Sequence, residues 1–207
     1  MRVAFVRPSL DGRRAHDALE PLAFAALAAR TPPGVDLSLV DERLEAVPAR
    51  LDADLVAITV ETYTARRAYQ IADGLRAQGV PVVMGGYHPT FLPGEALGHA
   101  DAVVVGDGEP VWERLLSDAA RGRLEPVYTA GTTPDLAGLR FDRSIFAGKR
   151  YARVVPVQYG RGCKYACDFC SIHAFYGNSL RQRPPAEVAD EIRATGARYV
   201  MLVDDNL

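Results

Sequence analysis

Short runs of β-branched and apolar residues recur along the first half of the chain: RVAFV (2–6), DLSLV (36–40), DLVAITV (54–60), VPVVMGG (80–86) and DAVVVG (101–106). Most neighbouring runs are separated by enough chain for a helix. That alternation predicts parallel strands joined by helical crossovers, and so an α/β fold whose first domain is a doubly wound, five-stranded parallel sheet. The helical stretches include LEPLAFAALAAR (19–30), TARRAYQIADGLRAQG (64–79) and EPVWERLLSDAARG (109–122). The last two stop at Gly79 and Gly122, as helices commonly stop at glycine.

From Arg123 to Arg150 the pattern loosens into a Gly-, Pro- and Thr-rich stretch without a sustained period, which reads as a linker. A second βαβ pattern follows: RVVPVQYG (153–160) as a strand, a cysteine-bearing loop, PPAEVADEIRATG (184–196) as a helix and RYVMLVDDNL (198–207) as a strand. The expected division is a first domain at 1–122, a linker at 123–150 and a second domain at 151–207. A lone βαβ unit leaves both parallel edges bare and closes no core by itself, so the second domain is expected to be cut short.

Composition excludes several classes of protein. With 48% hydrophobic and 24% charged residues over 207 positions, the chain is of globular type. Its formal net charge of -2 gives no general attraction to nucleic acid or an anionic membrane. The apolar run at the start is broken by Arg7 and Pro8, too early for a signal h-region or a membrane span, so a cytoplasmic location is expected.

In a doubly wound sheet, ligands sit beyond the carboxyl ends of the strands. Three loops fall there: TVETYTA after the third strand, GGYHPTFLPGE after the fourth and GDGEP after the fifth. Gly85, Gly86, Gly106 and Gly108 permit close backbone approach to a bulky ligand, while Thr59, Thr62 and Thr64 offer hydroxyls. His88 and Pro89 lie in the fourth-strand loop and Glu109 in the fifth-strand loop. Each glycine alone reads as a turn; three such loops on one edge point to a ligand site. None carries the G-x-G-x-x-G phosphate fingerprint, so a ligand larger than a nicotinamide dinucleotide is the better candidate.

The chain has 3 cysteines, Cys163, Cys167 and Cys170, in a C-x3-C-x2-C spacing. An odd number cannot pair within one chain, and a reducing compartment opposes disulfides, so metal binding or catalysis is the better reading. Three sulfurs on a four-iron cluster with one iron left open, a zinc site completed by His173, and incidental thiols are the alternatives. Structural zinc usually takes two separated pairs of ligands, and Lys164, Ala166 and Asp168 between the thiols do not read as core packing. The iron–sulfur reading is preferred.

CKYACDFC resembles the cluster motif of radical S-adenosylmethionine enzymes, including the aromatic Phe169 just before the last cysteine. VMGGYHPT, DAVVVGDGEPVWERLL, VQYGRGCKYACDFCS, YGNSLRQRPPAEVADEI and LVDDN are similar, in order, to signatures of the cobalamin-binding subgroup. Asp107 departs from the glutamate more usual in a G-E-G-E loop but keeps the carboxylate. The resemblance implies a Rossmann- or flavodoxin-like cobalamin domain followed by an incomplete radical S-adenosylmethionine (β/α) barrel, which in the family continues through further strands.

Its implied cofactors are a 4Fe-4S cluster on Cys163, Cys167 and Cys170, S-adenosylmethionine on the open iron, and cobalamin. Phe169 would lie against the adenine, and Asp204, Asp205 and Asn206 would meet the methionine ammonium. None of the 4 histidines fits the D-x-H-x-x-G loop of an axial imidazole ligand, so cobalamin would be held without one. Arg181 and Arg183 contact a carboxylate or simply solvate their loop. The implied activity is methyl transfer to an unactivated carbon of a small-molecule or natural-product substrate, through a 5′-deoxyadenosyl radical. An electron donor such as flavodoxin or ferredoxin is the implied partner. Ring formation or rearrangement, or a non-catalytic cofactor-binding fragment, are the alternatives, and no catalytic side chain is assigned.

Overall fold

A computed structural model describes residues 1–131 and 134–206. Its first part is a 6-stranded sheet in the order β2-β1-β3-β4-β5-β6, parallel at every pairing. The strands are β1 (Arg2–Arg7), β2 (Asp36–Asp41), β3 (Leu55–Thr59), β4 (Val82–Gly85), β5 (Ala102–Val105) and β6 (Val127–Thr129). Alternate residues of β1 enter different cores. Val3 and Phe5 face α1 (Leu22–Ala29) and α5 (Trp112–Ala120), while Ala4 and Val6 join the cluster under α2 (Ala65–Arg76). That is the period of two of a strand covered on both faces, and it explains why the buried strands read as continuous apolar runs.

One layer is organised by Phe5, whose ring stacks on Phe24 at 4.6 Å and lies 5.7 Å from Trp112. The Trp112 indole N–H donates to Thr31 Oγ1 at 2.9 Å, so its polar handle is satisfied in the core. On the other face Ile71, Ala72 and Leu75 of α2 pack over Val56, Ile58 and Met84. The chain passes from β1 to β2 on one side and then returns to β3 on the other, so β1 and β3 flank the point where the winding reverses.

The sheet has six strands, not five. β6 comes from the stretch expected to be a linker, and it is too short and too flanked by Pro and Gly to give a periodic signal. Tyr128 anchors it: the ring is fully buried and its hydroxyl donates to Asp118 at 3.0 Å. Leu136 and Leu139 then pack on Ala26, and Phe146 joins the Phe5 layer, so this stretch covers the first sheet.

Beyond it, β7 (Val154–Val157) pairs in parallel with β10 (Tyr199–Leu202), with α7 (Pro185–Thr195) as the crossover. Two small helices in the first part, α3 (Tyr87–Phe91) and α4 (Pro93–Leu97), follow β4. The expected single strand over 153–160 breaks after Val157. A separate antiparallel hairpin, β8 (Gly160–Gly162) with β9 (Leu180–Gln182), carries the cysteine loop and α6 (Ser171–Tyr176) between its strands. Arg143 fastens this region to the first: it bonds Glu20, the Pro156 carbonyl at 2.7 Å and Glu191 of α7 at 2.6 Å. Among the described residues no helix is long and apolar enough to cross a membrane.

Candidate functional site

At the carboxyl ends of β3, β4 and β5 lies a cavity of about 230 Å³. One wall is apolar, from Leu22, Phe24 and Leu27; a second is the glycine-bearing strand ends, Thr59, Gly85, Gly86, Gly106 and Gly108. The third comes from the cysteine-bearing region, through Gln158, Arg161, Phe175 and Tyr176. A neighbouring cavity of about 240 Å³ shares Gly106, Asp107, Phe175 and Tyr176 with it. Each compartment alone is below the roughly 300–1,000 Å³ of ordinary small-molecule sites, and the two together fall within it.

The turn after β4 depends on Gly86, whose φ is +108° and where a Cβ would stand 2.9 Å from the Val60 carbonyl oxygen. It presents Tyr87 to the cavity. Phe175 of α6 packs on Tyr87 at 4.6 Å and edge-on to Phe91 at 5.9 Å, closing the side between the two regions. Burial, then the nearby Asp205 charge, push the Tyr87 phenol above its ordinary range.

A buried ion network ties the two walls together. Arg161, 8% exposed, donates from Nη1 to Asp107 at 2.9 Å, from Nη2 to Glu109 at 2.6 Å and from Nε to Gln158 at 2.9 Å. Arg181 donates to the other Asp107 oxygen at 2.7 Å and sits over the Tyr176 ring at 5.0 Å. Burial pushes the Glu109 carboxyl up, but the Arg161 charge and hydrogen bond outweigh it and leave the group below its ordinary value. The same balance holds Arg161 charged: burial opposes the guanidinium and Glu109 prevails.

The cysteine loop begins immediately after β8 and is tied to the end of β10. Asp204 accepts from the Tyr159 N–H at 2.8 Å, Asp205 from the Gly162 N–H at 2.7 Å, and the Asn206 amide donates to Cys163 Sγ at 3.2 Å. Burial raises the Asp205 carboxyl, partly offset by the Gly162 N–H and Arg161. Asp204 keeps its second oxygen buried without a partner among the described residues. Cys163 and Cys170 are half-buried and Cys167 is exposed, all as free thiols.

The expected site residues separate into groups. Thr59, Gly85, Gly86, Gly106, Gly108 and Glu109 line the first cavity, with the Glu109 carboxylate engaged by Arg161. Thr62 is exposed. His88 and Pro89 are buried, and His88 Nε2 lies 2.8 Å from the Tyr69 hydroxyl, so its imidazole belongs to the α2–α3 packing. Phe169 is 92% exposed. Both arginines in question bind carboxylates, Arg181 to Asp107 and Arg183 to Glu191 at 2.5 Å. Sequence reading missed Arg161, Gln158, Tyr87, Phe175 and Tyr176. Arg161 lies only two residues before the first cysteine, and a charged residue between two glycines in a strand was the signal available.

Among the described residues no three His, Cys, Asp or Glu side chains are gathered into one metal-binding set, so the three thiols approach one another only as far as a shared loop. The donor chemistry nonetheless fits an iron–sulfur centre. Three sulfurs fall within eight residues, Cys163 is oriented by the Asn206 amide, and Asp204, two residues before Asn206, keeps a buried free acceptor. The strand-end loops fit a large ligand because glycine backbone, rather than side chains, forms the approach.

The model of the B12 binding domain matches residues 26–116. The chain is 34% identical to bacteriochlorophyllide d C-12(1)-methyltransferase of Chlorobaculum tepidum over 90% of its own length and 44% of that protein. It is 35% identical to the C-8(2)-methyltransferase of the same organism, over 90% of its length and 46% of that protein. It therefore spans less than half the length of these curated relatives. Among solved structures, TsrM of Kitasatospora setae, a radical S-adenosylmethionine methyltransferase with cobalamin and a 4Fe-4S cluster bound, superposes with a TM-score of 0.71 at 19% identity. That match covers 99% of this chain and 47% of that one, and at such identity the likeness is one of fold. Identity above thirty per cent across nine-tenths of the chain is a relationship of descent with these methyltransferases, and residues 26–116 are similar to the B12 binding domain.

Proposed function

We propose that this chain forms the cofactor-binding part of a cobalamin-dependent radical S-adenosylmethionine methyltransferase acting on an unactivated carbon of a small molecule. The observation that carries the reading is the composite cavity: glycine loops of the B12-type sheet make one wall, and residues flanking the cysteine loop make the facing wall. When bound, a 4Fe-4S cluster would supply the electron that cleaves S-adenosylmethionine, and cobalamin would carry the methyl group.

The chain's own residues have definite tasks in this reading. Cys163, Cys167 and Cys170 hold the cluster, and the Asn206 amide orients the first of them. The free oxygen of Asp204 is the acceptor available to the methionine ammonium, while Asp205 is occupied in holding the Gly162 N–H. Gly85, Gly86, Gly106 and Gly108 let backbone approach the corrin, and Leu22, Phe24 and Leu27 offer it an apolar wall. Tyr87 and Phe175 exclude water from the side between the two regions. Exposed Cys167 and Phe169 mark the face where a flavodoxin or ferredoxin would deliver its electron, in a reducing cytoplasm that keeps the thiols free. The division into a cobalamin domain that begins in the 1–122 stretch and takes in β6 and the packed residues of 123–150, followed by the start of a barrel at 151–207, belongs to the same proposal.

The test is anaerobic reconstitution with iron and sulfide, followed by gel filtration with hydroxocobalamin and an assay for 5′-deoxyadenosine. Retention of cobalamin, equal iron and sulfide content, and S-adenosylmethionine cleavage support the reading. A colourless, zinc-retaining protein, or one that passes through the column without cobalamin, overturns it.

A further inference from the structure

The loop Gly106–Glu109 and the cysteine loop are joined by a very short path. The two acidic side chains of the first loop, Asp107 and Glu109, are both bound by Arg161, and Arg161 is separated from Cys163 only by Gly162. Gly162 has no room to take up a displacement. Its N–H is held by Asp205, and its Cα faces the Ser179 carbonyl so closely that a Cβ would stand 2.1 Å from that oxygen. Arg181, on the partner strand β9, holds the second Asp107 oxygen, so the acidic loop is gripped by both strands of the hairpin that carries the thiols.

We propose that Arg161 is a positioning residue that couples the two cofactor sites: filling the cavity at the Gly106–Glu109 loop orders the cysteine loop through the Arg161–Asp107–Glu109 network. This rests on the reading of that cavity as the cobalamin site. The physical basis is that the network is a buried, charge-balanced set of two arginines and two carboxylates, each at most 11% exposed. Such a set has few alternative arrangements, because any partner left behind is an unpaired buried charge. A ligand that fixes the acidic loop therefore fixes Arg161, and Arg161 fixes the residue before Cys163. The cysteine loop is the soft element in the pair: Cys167 and Phe169 are exposed, and of its backbone only the Cys170 N–H bonds to Cys167 within the loop.

The experiment is hydrogen exchange of the Gly160–Gly177 segment in cluster-loaded protein, with and without saturating hydroxocobalamin, so that a change of affinity does not enter. Coupled binding sites commonly shift one another by about 5- to 150-fold. In wild type the segment is expected to exchange about fivefold more slowly, or slower still, when hydroxocobalamin is bound. Arg161→Lys keeps the charge but lacks the fork that reaches both carboxylates, and it should abolish that slowing. Asp107→Asn, which removes the shared partner without changing volume, should do the same if the lysine variant fails to fold. Arg183→Lys is the control: Arg183 is as buried as Arg161 and its ion pair is with Glu191, away from the acidic loop. It should keep the wild-type slowing, which separates positioning from general destabilisation. Wild type that binds hydroxocobalamin without slowing, or Arg161→Lys and Asp107→Asn variants that slow as wild type does, overturns the coupling and leaves the functional reading intact. Wild type that binds no hydroxocobalamin overturns both.

Discussion

Gly162→Ala is expected to be the most damaging single methyl group that can be added to this chain. At φ +85° an L-residue costs about 1–2 kcal/mol relative to glycine. The added Cβ would also lie 2.1 Å from the Ser179 carbonyl oxygen and 3.3 Å from Tyr176 Cβ, so β8 and β9 must separate. The pairing lost involves Gly160 with Gln182, Arg161 with Arg181 and Gly162 with Leu180. At about 0.5–1.5 kcal/mol net per hydrogen bond, losing two of them adds about 1–3 kcal/mol. The total is about 2–5 kcal/mol, a large share of the roughly 5–15 kcal/mol by which domains are stable. Gly196→Ala is the matched comparison, because Gly196 is left-handed at φ +59° and ψ +13° with nothing within 4 Å of an added Cβ, so only the backbone cost of about 1–2 kcal/mol applies. Urea unfolding of the two variants, with iron content after reconstitution as a second readout, measures the difference. Equal destabilisation by the two alanines would refute the claim that the β8–β9 contact fixes the start of the cysteine loop.

Replacing any one of Cys163, Cys167 or Cys170 by serine should abolish stable iron and sulfide incorporation while leaving the circular dichroism of the first sheet unchanged, since none of the three lies in either core. Phe24→Ala should cost about 3–5 kcal/mol in urea unfolding, because the ring is 2% exposed and stacked on Phe5. The Glu109 carboxyl is held below its ordinary value, so its contribution is present above the ordinary carboxylate range and is lost as the pH falls through the lowered value. Stability measured against pH should fall on that acid side, and Glu109→Gln should flatten the fall.

Much of the fold is legible because buried parallel strands write themselves as apolar runs: RVAFV, LVAIT and AVVV are strands for the same reason they are conspicuous. β6 escapes because three residues supply no period, and what makes it a strand is distant, the burial of Tyr128 and its bond to Asp118. The break between β7 and β8 escapes likewise, since Asp204 caps the Tyr159 N–H from 45 residues away. At the candidate site, the glycine loops and the clustered cysteines are conspicuous in the local sequence. The partners of Asp107 and Glu109 are not, because Arg161 stands more than 50 residues away and no spacing rule links them. The Asp204–Asn206 stretch stands out in the sequence as a polar strand end, yet its hydrogen bonds to Tyr159, Gly162 and Cys163, which hold the cysteine loop in place, are visible only in three dimensions.

In the proposed function, cobalamin and an iron–sulfur cluster lie side by side across the cavity bounded by Gly106–Glu109 and Arg161. Electron paramagnetic resonance of the reconstituted, reduced protein with cob(II)alamin bound tests it directly. Neighbouring centres should broaden the cob(II)alamin signal when the cluster is reduced, through their magnetic interaction, and the signal should sharpen again in the Cys167→Ser variant. A spectrum that is the plain sum of an unperturbed cob(II)alamin signal and an isolated cluster signal would contradict that arrangement.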